Sequence, residues 1–262
     1  VNQVDKARVR AAFSRGAAAY DARAGVQALV RSRVLGLAAE AAPRARRVLD
    51  VGCGTGRLLA DLLQARPALA AAGVDLSPAM CSAAGAAAPR ARVVAGDAEA
   101  LPFRPGAFDL VVSTSTFQWL PVLEPALAEC ARVLAPRGRL VLCLFGAGTL
   151  HELTGAWRAA AAGRAPDRTH RFFTAGDVER ALGAAGLRLH GLEEEERVEH
   201  HPDARAVLRS LKAIGAQNAS PAAAGLSGRR TTLEMLRRYE TLHGGPDGVP
   251  ATWHMVYAVA SR

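Results

Sequence analysis

Short apolar runs punctuate the chain at residues 47–51, 71–75, 92–95, 108–113 and 139–145, and stretches with helical spacing separate most of them. This alternation predicts strands joined by helices. The near-continuous run Leu110-Val111-Val112 suits a parallel strand covered on both faces. Right-handed crossovers then give a doubly wound sheet that takes ligands at the carboxyl ends of its strands. Ahead of it, a helix is expected over 4–19, with Val4, Ala7, Ala11 and Ala18 as a small-residue face, and another over 27–41, ending before Pro43. Behind it, helices are expected over 149–162, 177–185 (with Thr174 as N-cap), 203–216 and 229–242. A sixth strand over 187–198 carries Glu193 to Glu196, which reads as a solvated edge, and a last strand over 253–260 should lie antiparallel beside it. The two helices between these strands are expected to form a lid. The fold class is therefore α/β, Rossmann-like and doubly wound, in one domain. Its parts are N-terminal helices (1–42), a ligand-binding core (46–146), substrate-side helices and sixth strand (147–200), the lid (201–246) and the last strand (250–262).

Composition narrows this picture. The chain has 262 residues, half of them hydrophobic, enough for one large domain with a sizeable core. No apolar run reaches the ~18 residues of a membrane span. The opening residues lack the apolar stretch of a signal peptide, so a cytoplasmic location is expected. Cys53, Cys81, Cys130 and Cys143 are scattered without metal-ligand spacing and read as free thiols; no metal is expected. Net charge is +9, but the arginines are dispersed and Lys6 and Lys212 are the only lysines. That balance permits an acidic partner without marking a nucleic-acid footprint. A monomer is favoured.

Candidate chemistry gathers at strand ends. The first strand runs into Gly52-Cys53-Gly54-Thr55-Gly56, a sharp turn leading to a helix. Glycines there let a ligand lie against the backbone, and the helix start offers free N–H groups. The spacing G-x-G-x-G departs from the dinucleotide fingerprint G-x-G-x-x-G. Asp50, directly before the turn, would repel a pyrophosphate and attract an ammonium. Asp75 ends the second strand, about 20 residues beyond the turn, where one carboxylate can accept from both hydroxyls of a ribose. Its alternative role, capping the helix that holds Met80, is better filled by Ser77 with Pro78 at the first helical position.

Asp50 to Gly56 resembles motif I of the class I S-adenosylmethionine (SAM) methyltransferases. The resemblance implies that Gly52, Gly54 and Gly56 pack under the methionine moiety and Asp50 lies near its amino group. It also implies that Asp97 accepts from the adenine amino group, Ala98 offers a backbone N–H to the ring, Leu76 covers the adenine face, and Ser113 belongs to the same set. Phe13 to Asp21 resembles the segment that small-molecule methyltransferases lay over SAM. This would bring Tyr20 to the active site, unless it caps the edge of the core. The fourth strand lacks the Asn/Asp-Pro-Pro-aromatic motif of amino-adenine methyltransferases. Phe117-Gln118-Trp119 is instead similar to carboxyl O-methyltransferases of small acids, with Trp119 either in the pocket or in the core.

Four segments sharpen the resemblance: Ser210 to Ala216, Gly148 to Leu153 with Trp157, Phe117-Gln118-Trp119, and Thr252-Trp253-His254. Together they resemble the malonyl-acyl-carrier-protein O-methyltransferases of biotin synthesis over nearly the whole chain. The implied reaction methylates a free carboxylate. That group is ionised at neutral pH and needs no general base, and no Ser/His/Asp set is visible. A cation is then needed for the acceptor oxygen that does not attack, with Arg171, Lys212 and Arg209 as candidates. Phe172, Phe173 and Tyr20 would shape the acyl pocket, while His170 and His254 read as packed or solvated. The implied partner is an acidic carrier protein. Rivals are another carboxyl methyltransferase, such as one acting on trans-aconitate, and a SAM-binding scaffold or RNA partner without catalysis.

Overall fold

The computed structural model describes residues 4–16, 25–161, 170–213 and 229–262. Two helices, α1 (Lys6–Gly16) and α2 (Gly25–Ala41), precede a seven-stranded sheet. Its strands are β1 (Arg47–Val51), β2 (Ala70–Asp75), β3 (Arg92–Ala95), β4 (Phe108–Thr114), β5 (Leu134–Phe145), β6 (Arg188–His201) and β7 (Val249–Ser261). They lie in the order β3-β2-β1-β4-β5-β7-β6. The pairs among the first five are parallel, and β7 runs antiparallel to both β5 and β6. The expected mostly parallel, doubly wound sheet with an antiparallel last strand is the observed one. No described helix is long and apolar enough to cross a membrane.

Helices α3 (Arg57–Ala65), α4 (Pro78–Ala87), α5 (Glu124–Val133), α6 (His151–Ala161), α7 (Ala175–Ala184), α8 (Ala204–Ala213) and α9 (Arg229–His243) complete the fold. One core joins α2, α3 and α4 to α6, α8 and α9 on one face of the sheet; α5 and α7 fill the other. The turn-forming sequence Pro136-Arg137-Gly138 is kept inside β5. Phe108 pairs with Leu134 but Leu110 pairs with Arg139, so the intervening residues bulge out, with Arg137 at φ 65°.

Two expectations are corrected. Ala7 and Ala11 of α1 are exposed, while Val9 is buried and Lys6, Val9 and Phe13 line a cavity. The longer side chains fill the gap beneath the helix, so its inner face is rotated from the small-residue face. In α8, Ala204, Val207 and Leu211 are buried in the core shared with Met235, Leu236 and Tyr239 of α9. The amphipathic spacing turns Arg205, Arg209 and Lys212 outward on the opposite face.

The segments 148–153 and 252–254 join the start of α6 to β7. Leu150 N–H donates to Thr252 O at 2.7 Å, and Thr149 Oγ donates to His254 O at 3.0 Å. Buried Glu152 accepts from the backbone N–H of Thr252 at 3.3 Å and from its hydroxyl. His254 Nδ1 accepts from Gly148 N–H at 3.1 Å, leaving Nε2–H to donate to Glu194 at 2.9 Å. His254 is a packed, satisfied histidine, as the sequence indicates.

Candidate active site

A cavity of about 790 Å³ opens over the carboxyl ends of β1, β2, β3 and β4. Its floor includes Gly52, Gly54, Asp75, Leu76, Asp97 and Ala98, and Thr114, Ser115, Thr116 and Trp119 line the β4 end. Helix α1 roofs it with Lys6, Val9, Arg10 and Phe13. Phe13 meets Trp119 edge-on at 5.6 Å, and the hydroxyls of Ser14 and Ser77 lie 2.8 Å apart. Beyond the glycine turn, a second cavity of about 900 Å³ lies against α2 and α3 and shares Gly52, Gly54, Thr114 and Ser115 with the first.

The glycine turn is shaped by backbone rather than by side chains. Gly52, Gly54 and Gly56 all have left-handed φ values, of 74°, 51° and 80°. A Cβ on Gly52 would collide with the Thr116 side chain, whereas one on Gly54 would meet nothing within 4 Å. Gly54 therefore presents bare backbone to the cavity, and its N–H is held by Asp75 Oδ2 at 2.9 Å. Gly56 lines neither cavity; it lies against Ala84 of α4, so its place is structural.

Asp50 sits on β1 opposite Gly73 and Val112, is 1% exposed, and neither carboxylate oxygen has a partner among the described residues. Burial, and secondarily the nearby Asp75 charge, push its carboxyl up to about 8. An unpaired buried carboxylate costs several kcal/mol, so the position is suited to a cation, although Asp50 itself lines neither cavity and lies behind the glycine turn. Asp75 accepts Gly54 N–H and, at 2.8 Å, Ser77 N–H. Burial raises its carboxyl and these two bonds oppose the rise. Ser77 caps α4 by accepting Met80 N–H at 3.2 Å, leaving Asp75 facing the cavity.

A pH dependence follows from Asp50. Its folded-state value lies above the ordinary 3.8. The ligand-free fold therefore holds an extra proton between these values, and this group's contribution to stability falls as pH rises through that window. An ammonium bound beside Asp50 would expel the proton. Affinity for a ligand that places an ammonium there is expected to rise by up to roughly tenfold per unit between about pH 6 and 7.5. Calorimetry in buffers of different ionisation enthalpy should register the released proton, and Asp50→Asn should abolish both effects.

Several expected residues lie elsewhere. Ser113 is 1% exposed and spends its hydroxyl on Val51 O at 2.7 Å, bracing β4 against the turn; Thr114 to Thr116 line the cavity in its place. Phe117 belongs to the core, because the short 3-10 turn Phe117–Trp119 directs it under the sheet. Gln118 is buried, donating to Ser115 O at 2.6 Å. Trp119 does reach the cavity, with His170 against it at 4.9 Å between ring centres and Phe172 beyond at 4.6 Å from His170. His170 Nε2–H donates to Gln118 O at 2.8 Å; burial lowers its pKa against that bond, keeping the ring neutral. Phe173 packs into the other core and bridges to Gly146. Arg171 is exposed, and its charge helps lower the Asp177 carboxyl. Lys212 and Arg209 are exposed and line neither cavity, Arg209 lying 3.7 Å from Asp203. Tyr20 lies outside the described residues. The sequence reading missed Lys6, Val9, Arg10 and Thr114 to Thr116; the rarity of lysine in the chain was the one pointer to Lys6.

The sheet order, the glycine turn and the strand-end acids define a class I SAM-dependent methyltransferase. Residues 49–142 match the family model described as a methyltransferase domain. The fold is similar to that of a putative methyltransferase from Bacillus halodurans, with a TM-score of 0.62 at 17% identity, covering 88% of this chain and 97% of that one. A malonyl-[acyl-carrier protein] O-methyltransferase of Geobacter sulfurreducens is 50% identical over 99% of this chain and 100% of its own length. The biotin biosynthesis bifunctional protein BioHC of Cellvibrio japonicus is 34% identical over 99% of this chain and 51% of its own length. The chain belongs to the family of malonyl-[acyl-carrier protein] O-methyltransferases.

Proposed function

We propose that the protein transfers a methyl group from SAM to the free carboxylate of malonyl-acyl-carrier protein, as a step of biotin synthesis. The similarity to the Geobacter sulfurreducens enzyme, extending over both chains from end to end, carries this reading. When bound, SAM supplies a methyl group on a positively charged sulfur, which a carboxylate oxygen can attack directly. Asp50 would receive the amino group, Asp75 the ribose hydroxyls, and Asp97 with Ala98 the adenine; Leu76 would cover the ring. The bare backbone of Gly54, where the two cavities meet, leaves room for the reacting groups. Holding two reactants in attack geometry can supply roughly 7–11 kcal/mol. The aromatic group Trp119, His170 and Phe172 borders the acceptor side, with Arg171 beside it as the candidate cation. The outward basic face of α8 suits an acidic carrier.

Methyl transfer from labelled SAM tests the proposal, with malonyl-carrier protein, malonyl-CoA, trans-aconitate and acetyl-carrier protein as acceptors. Transfer to the malonyl thioesters alone is expected, and added salt should raise KM for the carrier-bound acceptor more than for the CoA-bound one. Arg171→Ala is expected to raise KM for the malonyl thioester about tenfold or more, on the scale of a lost charge-assisted bond, with SAM affinity unchanged. Absence of transfer to either malonyl thioester would refute the substrate.

A further inference from the structure

Besides Val9, the Phe13–Trp119 contact and the Ser14–Ser77 pair, one cation fastens helix α1 over the cavity. Lys6 Nζ donates to Asp97 Oδ2 at 2.6 Å and also to the carboxylate of Glu99. Among the described residues, neither acid has another ion pair. Asp97 Oδ1 accepts Glu99 N–H at 3.0 Å, so each of its oxygens is held by one partner. A carboxylate oxygen has two acceptor positions, and Asp97 lines the cavity. Its orientation is thus fixed while capacity remains for a further donor.

We propose that Lys6 is a positioning residue for the cofactor: by holding the Asp97 carboxylate it aims that acid at the adenine amino group and ties α1 down over the bound nucleoside. This rests on the reading of Asp97 as the adenine ligand. Without the ammonium, Asp97 and Glu99 would face each other as like charges, and repulsion would turn Asp97 toward solvent. With it, the repulsion between the two acids is offset, one net negative charge remains, and the roof is tied down through a contact 91 residues distant in sequence. Burial opposes the Lys6 charge, yet the two carboxylates outweigh it and hold its pKa above the ordinary 10.5. The cation therefore stays charged at every working pH.

Calorimetric titration of the full chain with S-adenosylhomocysteine, and with its inosine counterpart carrying a carbonyl in place of the adenine amino group, separates the possibilities. The unsubstituted protein should prefer the adenine compound. Lys6→Met should weaken S-adenosylhomocysteine binding about tenfold or more and shrink that preference, and Lys6→Arg should restore most of both. Adding Asp97→Asn to Lys6→Met should cost little more, since the lysine acts through that acid. Thermal unfolding of each variant checks that the fold is retained. Unchanged or tighter binding by Lys6→Met would overturn the proposal, because Lys6 would then be occupying the amino group's place. Equal loss for both nucleosides would reduce Lys6 to a roof support and overturn it as well. If the unsubstituted protein does not distinguish the two compounds, the adenine reading of Asp97 fails first, and with it the aiming role.

Discussion

Asp75→Ala is expected to lower SAM affinity by two orders of magnitude or more. Two ribose hydroxyls donating to one carboxylate form two charge-assisted bonds, each about 1.5–3 kcal/mol. Together they correspond to a factor on the order of a hundred or greater. The substitution also frees two backbone donors, Gly54 N–H and Ser77 N–H, which Asp75 holds at 2.9 and 2.8 Å. The glycine turn and the start of α4 should loosen together. Asp75→Asn separates the two effects, since its amide oxygen can still accept one of these bonds while the charge is lost. Calorimetry on both variants, with unfolding measured alongside, reads the outcome; near-normal affinity in Asp75→Ala would refute the ribose role.

Gly56→Ala should damage the fold more than any surface change, although Gly56 touches neither cavity. Its φ of 80° is left-handed, and an added Cβ would stand 2.7 Å from Ala84 Cα. A non-glycine residue in that region costs about 1–3 kcal/mol, and overpacking against backbone costs about another 1–3. Since α3 begins at Arg57 and α4 contains Ala84, relief requires the two helices to part. A fall in Tm of roughly 5–20 °C is expected for a domain of this size, and SAM affinity should drop as the turn shifts. Gly54→Ala offers the contrast: its Cβ would meet nothing within 4 Å, so it should cost only the backbone strain. A thermal melt of the two variants side by side tests this, and equal Tm values would refute the packing argument.

The sheet and the three strand-end acids were legible because each rests on local chemistry: apolar runs, glycines at every second position, and an acid where a strand stops. The phase of α1 was not legible. Its alanines suggested an inner face, but Lys6, Val9 and Phe13 are turned inward by the depth of the cavity, a tertiary fact. Lys212 and Arg209 illustrate the opposite error. They drew attention by rarity and by the resemblance, yet the spacing of Ala204, Val207 and Leu211 already dictated that they face outward. The segments 148–153 and 252–254, which carried the family resemblance, form a structural joint between α6 and β7. Partners such as Glu152 and Thr252, 100 residues apart, cannot be seen from either stretch alone.

The placement of β7 has a consequence for biosynthesis. Among the described residues β6 pairs with β7 alone, along the whole length from Arg188 opposite Ser261 to His201 opposite Val249. On a nascent polypeptide, β6 leaves the ribosome well before the strand that will join it to β5. Until then its backbone donors and acceptors have only water, and the inner edge of β5 stays open to other strands. The row Glu193 to Glu196 in the middle of β6 gives the waiting segment a density of negative charge that opposes pairing between two unfinished chains, so the same acids that border the finished sheet protect it while it is being made.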